Sequence, residues 1–317
     1  MIDGSLLIFG EIHTGLLQNS TALPPSSCDE LLALMRGERV RRFERPIAHA
    51  VSPEIFTGVD CGLAVSTGKA RAVGTVACRA SITGGHVLQG SATVRLARSA
   101  AGRRLPWSHY LARPGQAEVI GKADVDELAR QFVRPQPVAA TLDVSAISAR
   151  LVDTVQASRR LDRRPPFRAA RTRLRWAATL SDAPSVDVVR FRMENVMLRT
   201  ALLSCGRADV PGVVEFCEDL ALHDWLLTTL LRMLERSRIG IDSRSDVVRA
   251  LRPAVDHLLH LWMPAARGDE ISAALWDRLE RRPGLSRQWH ASVDRIRDQI
   301  ALSTIGLLEA ELGGSIR

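Results

Sequence analysis

R-T-R-L-R-W-A-A-T-L (Arg171–Leu180), the breaker S-D-A-P-S (Ser181–Ser185) and V-D-V-V-R-F-R-M-E-N-V-M-L-R-T-A-L-L (Val186–Leu203) form the stretch on which the fold turns. Thr172, Leu174, Trp176 and Ala178 alternate with Arg171, Arg173 and Arg175. After the breaker, Val189, Phe191 and Met193 alternate with Arg190, Arg192 and Glu194. Past Asn195, Val196, Leu198 and Leu202 alternate with Met197, Arg199 and Ala201. A period of two belongs to half-buried strands, whose successive side chains point to opposite faces. On a helix Arg171, Arg173 and Arg175 would spread around the cylinder.

Three such strands with short polar connections predict an antiparallel meander. A two-residue turn at Glu194-Asn195 would set Met193 opposite Val196 and Phe191 opposite Leu198, apolar against apolar. It would also set Arg190 opposite Arg199, and Trp176 facing Phe191 would bring Arg175 against Arg192. The expectation is a sheet face lined by Arg171, Arg173, Arg175, Arg190, Arg192 and Arg199. Like charges directly opposite cost up to about 1 kcal/mol per pair, so carboxylates of the chain, solvent or an anionic partner must offset them. A solvated face is the plain reading; a docking face for an acidic protein surface or for phosphate is the functional one.

Working outward, 317 residues suffice for one large or two to three ordinary domains, and 46% hydrophobic with 25% charged residues is a globular composition. The net charge of +8 divides as +4 over residues 1–135, +6 over 136–205 and −2 over 206–317. The basic centre and slightly acidic last third permit internal docking of arginine on acid. Of the 43 basic residues only Lys69 and Lys122 are lysines. So skewed a usage reads first as genomic composition, which weakens any step from basic pI to nucleic acid. Cys28, Cys61, Cys78, Cys205 and Cys217 are odd in number and widely spaced, unlike a disulfide framework or a zinc cluster. The N-terminus has no signal-peptide pattern and no segment suits a membrane span, so the expected location is the cytoplasm.

In chain order, Ser5 to Leu17 reads as a strand and Cys28 to Arg36 as a helix behind Ser26-Ser27. Val40 to Gly121 is rich in Val, Thr, Ala and Gly; its clearest hairpin turns at Gly84-Gly85. The small residues Gly74, Ala77, Gly90 and Ala92 imply close packing or a neighbouring backbone. Asp124 to Phe132 is a short helix and R-P-Q-P a linker. A helix from Val144 to Leu161 is stopped by Pro165-Pro166. Beyond Pro211 the chain reads as four helices: Val213–Arg236, apolar on most sides and so central; Ser245–Met263, with Pro253 inside; Ile271–Glu280; and Ser286–Leu312. The whole predicts an α+β protein with three parts: a β-rich domain with antiparallel hairpins over 1–135, a helix with the arginine-faced meander over 136–205, and a helical bundle over 206–317.

No motif assigns a reaction. Asp219 with His223, and Asp256 with His260, stand at i, i+4, a spacing from which facing helices can build a metal site. Without a bridging carboxylate the competing reading is histidines held in the core by neighbouring acids. P-W-S-H-Y-L (Pro106–Leu111) could line a pocket, or anchor a loop at a junction. Cys61 in G-V-D-C has no assignable base and reads as a small buried hydrophobe. The basic strands lack the exposed, interleaved aromatics of single-strand readers.

R-P-I-A-H-A-V-S-P from Arg45, T-G-V-D-C from Thr57, P-W-S-H-Y-L-A-R-P-G from Pro106, C-E-D-L-A-L-H-D-W-L-L-T-T-L from Cys217 and D-H-L-L-H-L-W-M-P-A-A-R from Asp256 span most of the chain. In these strings it resembles an uncharacterised actinobacterial protein family found beside methyltransferase-like and P-loop-like proteins. The resemblance implies a role in a multi-protein system and carries no active-site residues or cofactor. The expected function is therefore a non-enzymatic interaction or scaffold component that docks an acidic partner through the arginine face. One alternative is a nucleic-acid accessory protein gripping the phosphate backbone; the other is a metal-dependent enzyme using the helical Asp/His pairs.

Overall fold

The computed structural model describes residues 5–65, 69–136, 140–182, 186–237, 239, 243–266 and 270–314. The strands are β1 (Ser5–Leu16), β2 (Arg41–Phe43), β3 (His49–Val51), β4 (Ile55–Leu63), β5 (Ala70–Thr83), β6 (Val87–Arg98), β7 (Gln116–Ile120), β8 (Thr172–Ser181), β9 (Asp187–Met193) and β10 (Leu198–Gly206). The helices are α1 (Pro25–Leu32), α2 (Trp107–Leu111), α3 (Val125–Phe132), α4 (Val144–Gln156), α5 (Val210–Arg236), α6 (Arg244–His257), α7 (Glu270–Arg281) and α8 (Leu285–Gly314). The protein is α+β: the strands form one mixed sheet, ordered β2-β3-β5-β7-β6-β1-β8-β10-β9 with β4 also on β5, and helices fill the last third.

β1 is the hinge of this plan. It is buried on both faces, with Glu11, His13 and Thr14 buried among its apolar residues. Ile8, Ile12 and Leu16 enter one core with Trp176 and α5, while Leu7 and Phe9 enter the other with Leu128 and Val152. β1 lies antiparallel between β6 and β8. The boundary expected near residue 135 therefore falls within a single sheet. The first core is covered by α5 to α8; α5, with Phe216, Leu220, Trp225 and Leu230 all inside, is its central helix. The second is covered by α1, α3 and α4.

The expected meander is corrected. β10 pairs with β8 in parallel and with β9 antiparallel, so the last strand inserts between the other two. The cause is polarity. Leu198–Gly206 has one charge and is buried along most of its length, whereas Asp187–Met193 carries three and is half exposed. The charged strand takes the edge, where water solvates it. The turn is longer than two residues: Asn195 Oδ1 accepts the Met197 and Leu198 amides at 2.8 and 3.0 Å. The register shifts accordingly, with Arg199 opposite Met193, Ala201 opposite Phe191 and Leu202 opposite Arg190. Trp176 lies beside Ala201 and Arg175 beside Thr200, so neither expected pair, Trp176 on Phe191 or Arg175 on Arg192, is formed.

The β5–β6 hairpin forms at Gly84 and Gly85, both at positive φ, with His86 completing the loop. Gly90 explains the run of small residues: a Cβ there would lie 2.5 Å from Val152 Cγ2 and 2.7 Å from the Ser148 carbonyl, so α4 sits directly on the β6 backbone. α4 ends at Gln156, short of Leu161, where Gln156 Nε2 donates to the Leu16 carbonyl at 2.9 Å. α6 ends at His257, short of Met263, and gives way to a 3₁₀ turn at Leu259–Leu261. Among the described residues, no helix is long and apolar enough to cross a membrane.

Candidate functional site

The antiparallel register of β1 and β8 sets Glu11 opposite Arg175 and His13 opposite Arg173. This places an acid and a histidine of the first strand under the arginine row. Arg175 is only 5% exposed. Its Nε donates to Glu11 Oε2 at 2.7 Å, its Nη1 donates to the Arg134 carbonyl at 2.8 Å, and its guanidinium lies 5.8 Å over the Phe132 ring. Glu11 is fully buried, and its other oxygen lies 3.8 Å from Arg173 Nη1. Arg171 pairs with Asp153 of α4 at 2.8 Å. His13 Nε2 meets Ser145 Oγ at 3.1 Å. Burial, then the charges of Arg171 and Arg173, push the His13 imidazole down to about 3, so it is neutral at ordinary pH. A void of about 40 Å³ between Glu11, Phe132 and Ser145 is room for water rather than for an organic ligand.

Arg199 points the other way. Its register partner on β8 is Leu174, which faces the α5 core. There its Nε donates to Asp224 at 2.8 Å and its Nη2 to Thr228 Oγ1 at 2.9 Å, at 1% exposure. Burial raises the Asp224 carboxyl above its ordinary value, and the Arg199 guanidinium opposes that shift. The six arginines thus do not share one face. Arg171, Arg173 and Arg175 lie on the side of α3 and α4, and Arg190 and Arg192 continue that side on β9 through their partners Leu202 and Thr200. Arg190 and Arg192 have no ion pair among the described residues.

β9 ends the sheet. Val188 and Phe191 pack inward against the α5–α8 core, with α7 beside them, and Arg278 reaches Asp187 at 3.5 Å. Along this edge Arg190 and Arg192 lie on the α3–α4 side and Met193 on the opposite side, level with Arg199; Val189, Met193 and Val196 are exposed apolar side chains. An edge strand also presents one row of unpaired backbone donors and acceptors.

The helical histidines have structural partners. His223 Nδ1 donates to the Asp219 carbonyl at 2.8 Å and Nε2 accepts the Met263 amide at 3.1 Å, which fixes the tautomer. Asp219 Oδ2 accepts from Trp276 Nε1 at 2.8 Å and from the Ala265 amide at 3.0 Å. Asp256 pairs with Arg252, and His260 sits beyond the end of α6, so these two share no helical face. Among the described residues no three His, Cys, Asp or Glu groups gather as a metal site. In the Trp107 segment, Tyr110 Oη accepts the Leu105 amide at 2.9 Å and His109 meets Glu118 at 2.7 Å, which anchors the loop on β7. Cys61 is half-buried and its thiol is pushed up, chiefly by burial.

Glu11, His13, Ser145 and Asp224 escaped the sequence reading. E-x-H inside an apolar strand is the complement of R-x-R-x-R, and that was the available signal. The class these features define is a helix-covered mixed sheet with an arginine-bearing open edge. No family model, no curated protein and no solved structure matches the chain.

Proposed function

We propose that this chain is a non-enzymatic interaction component that receives an acidic extended segment of a partner protein along β9. The observation that carries the reading is the contrast within the arginine row. Arg175 and Arg199 are buried on carboxylates, and Arg171 and Arg173 lie within reach of one, whereas Arg190 and Arg192 have no such partner among the described residues. Added to the edge, a strand would gain backbone hydrogen bonds, place apolar side chains on Val189 and Met193, and direct acids to Arg190 and Arg192. The methyltransferase-like and P-loop-like neighbours of the family that the chain resembles are the first partners to try. The test is affinity purification of wild type and of the doubly reversed Arg190→Glu/Arg192→Glu variant, with thermal melts run alongside. The variant should melt as wild type does and lose the partners; retention of the same partners would refute the reading.

A further inference from the structure

The connection from α4 to β8, residues 157–171, is densely basic and leads into a strand two places from β9 in the sheet order. Between Arg159 and Arg171 stand six arginines and a single acid, Asp162. A genomic preference for arginine over lysine does not explain that shortage of acids. Every exposed residue of the segment is charged: Arg159, Arg160, Asp162, Arg163, Arg164 and Arg168. Arg160 is held by Glu30, and the half-buried Arg171 by Asp153. Asp162 is taken up by the Ser20 amide at 3.0 Å, the Ser20 hydroxyl and the Arg164 amide at 2.8 Å. Its charge is felt at Arg164, but the two form no ion pair. Arg159, Arg163, Arg164 and Arg168 therefore have no ion pair among the described residues. Arg236, exposed at the end of α5, donates to the Arg168 carbonyl at 3.2 Å and brings a fifth guanidinium to the segment.

The backbone that carries these groups is tied down along its length. The Arg163 amide donates to the Gln18 carbonyl at 2.9 Å and the Asp162 amide to Asn19 Oδ1 at 3.1 Å. Leu161 is buried in the α3–α4 core, Phe167 packs on the α5–α8 core, and Trp225 Nε1 donates to the Ala170 carbonyl at 2.9 Å. Arg163 itself stands at φ 59°, the left-handed region where glycine is at ease and arginine is strained. A strained residue whose exposed side chain adds nothing to packing points to a use for its charge.

We infer that this segment grips the phosphate backbone of a nucleic-acid duplex. Exposed guanidiniums on a preformed loop suit phosphate oxygens, which accept two parallel N–H bonds from one arginine. A duplex carries about one negative charge per 1.7 Å of axis, so several arginines are met at once. Among the described residues 159–171 no apolar side chain is exposed. That argues against a protein interface, whose centre is apolar, and against a lipid surface, where firm binding needs an apolar anchor. Nor is any ring exposed there for the bases of a single strand to stack on. The segment holds no helix or strand to enter a groove, so the contact is to backbone and independent of sequence.

The experiment is fluorescence anisotropy of the full chain with a labelled mixed-sequence duplex of about 20 base pairs, at about 50 to 200 mM salt. A single strand of the same length and vesicles of phosphatidylserine and phosphatidylcholine are the other two probes. Wild type should bind the duplex more tightly than the strand and lose affinity steeply with salt. Arg163→Gln/Arg164→Gln/Arg168→Gln should flatten the logarithmic salt dependence by roughly 0.9 unit per arginine removed. Because these side chains are exposed and the segment is tethered through backbone groups, the variant should melt as wild type does. Arg163→Gly should melt no lower than wild type, since the left-handed φ suits glycine, and still lose about one unit of slope. Arg190→Glu/Arg192→Glu should leave the slope unchanged, which separates this surface from the β9 edge. No duplex binding at the lowest salt, a slope unchanged in the folded triple variant, tighter binding of the single strand, or binding to the vesicles alone would overturn the inference.

Discussion

Replacing Arg175 by methionine separates the structural arginines from the available ones. The substitution keeps most of the buried stem but removes the guanidinium that Glu11 Oε2 meets at 2.7 Å. Glu11, fully buried, would keep as a cation only Arg173 at 3.8 Å, whose side chain is a third exposed, beside the neutral His13 ring at 3.9 Å. Removing one member of a buried pair costs about 3–5 kcal/mol, because the remaining charge stays desolvated. Against a typical total stability of about 5–15 kcal/mol, that is a large share. Removing both charges, in Glu11→Leu/Arg175→Met, should restore most of the loss, since apolar groups of similar volume replace buried pairs at little cost. Arg192→Met, at an exposed position, should stay within about 0.5 kcal/mol of wild type. The assay is urea unfolding of wild type, Glu11→Leu, Arg175→Met, the double variant and Arg192→Met, the first four read as a double-mutant cycle for the buried pair. A stability for Arg175→Met within about 1 kcal/mol of wild type would refute the assignment of Arg175 to the interior. A double variant no better than the single would remove the ion pair as the cause.

Two further outcomes follow from the same packing. His13 is neutral in the folded chain down to about 3, whereas its unfolded value is 6.5, so below pH 6.5 the unfolded chain binds the extra proton. Stability is therefore full above pH 6.5 and falls as the pH drops toward 3, with a slope from His13 of up to about 1.4 kcal/mol per pH unit. His86, lowered to about 4 chiefly by burial, acts in the same direction. Chemical denaturation between pH 7 and 5 should show a shallower decline for His13→Gln, and parallel curves would contradict a buried neutral imidazole. Gly90→Ala would drive a methyl group into Val152 and the Ser148 carbonyl, lifting α4 off β6; thermal melts should show a loss of about 1–3 kcal/mol.

Local pattern went far in this chain. The alternation over Thr172–Leu203 announced strands, the apolar girth of α5 announced a central helix, and Gly84-Gly85 announced a hairpin. What failed was the order of the strands. Alternation states which residues share a side of a strand, but it is blind to which strand lies next to which. The turn at Asn195 was misjudged for a related reason, because a side-chain acceptor lengthened it and moved the register. Nor could the arginine row alone show which of its members would be neutralised. Asp224 lies 25 residues beyond Arg199, and Glu11 lies 164 residues before Arg175.

By itself, then, the chain of amino acids determined the α+β character, the element types and the presence of a basic, half-apolar sheet segment, because these depend on periodicity and composition within a few residues. Only the tertiary structure decided that β1 would join the first and central parts into one sheet, that β10 would displace β9 to the edge, and that Arg190 and Arg192 would be left without a carboxylate among the described residues. The physical reason is that burial selects neighbours globally. A strand with one charge wins the interior over a strand with three, and a buried arginine takes whichever acid the sheet register brings beside it.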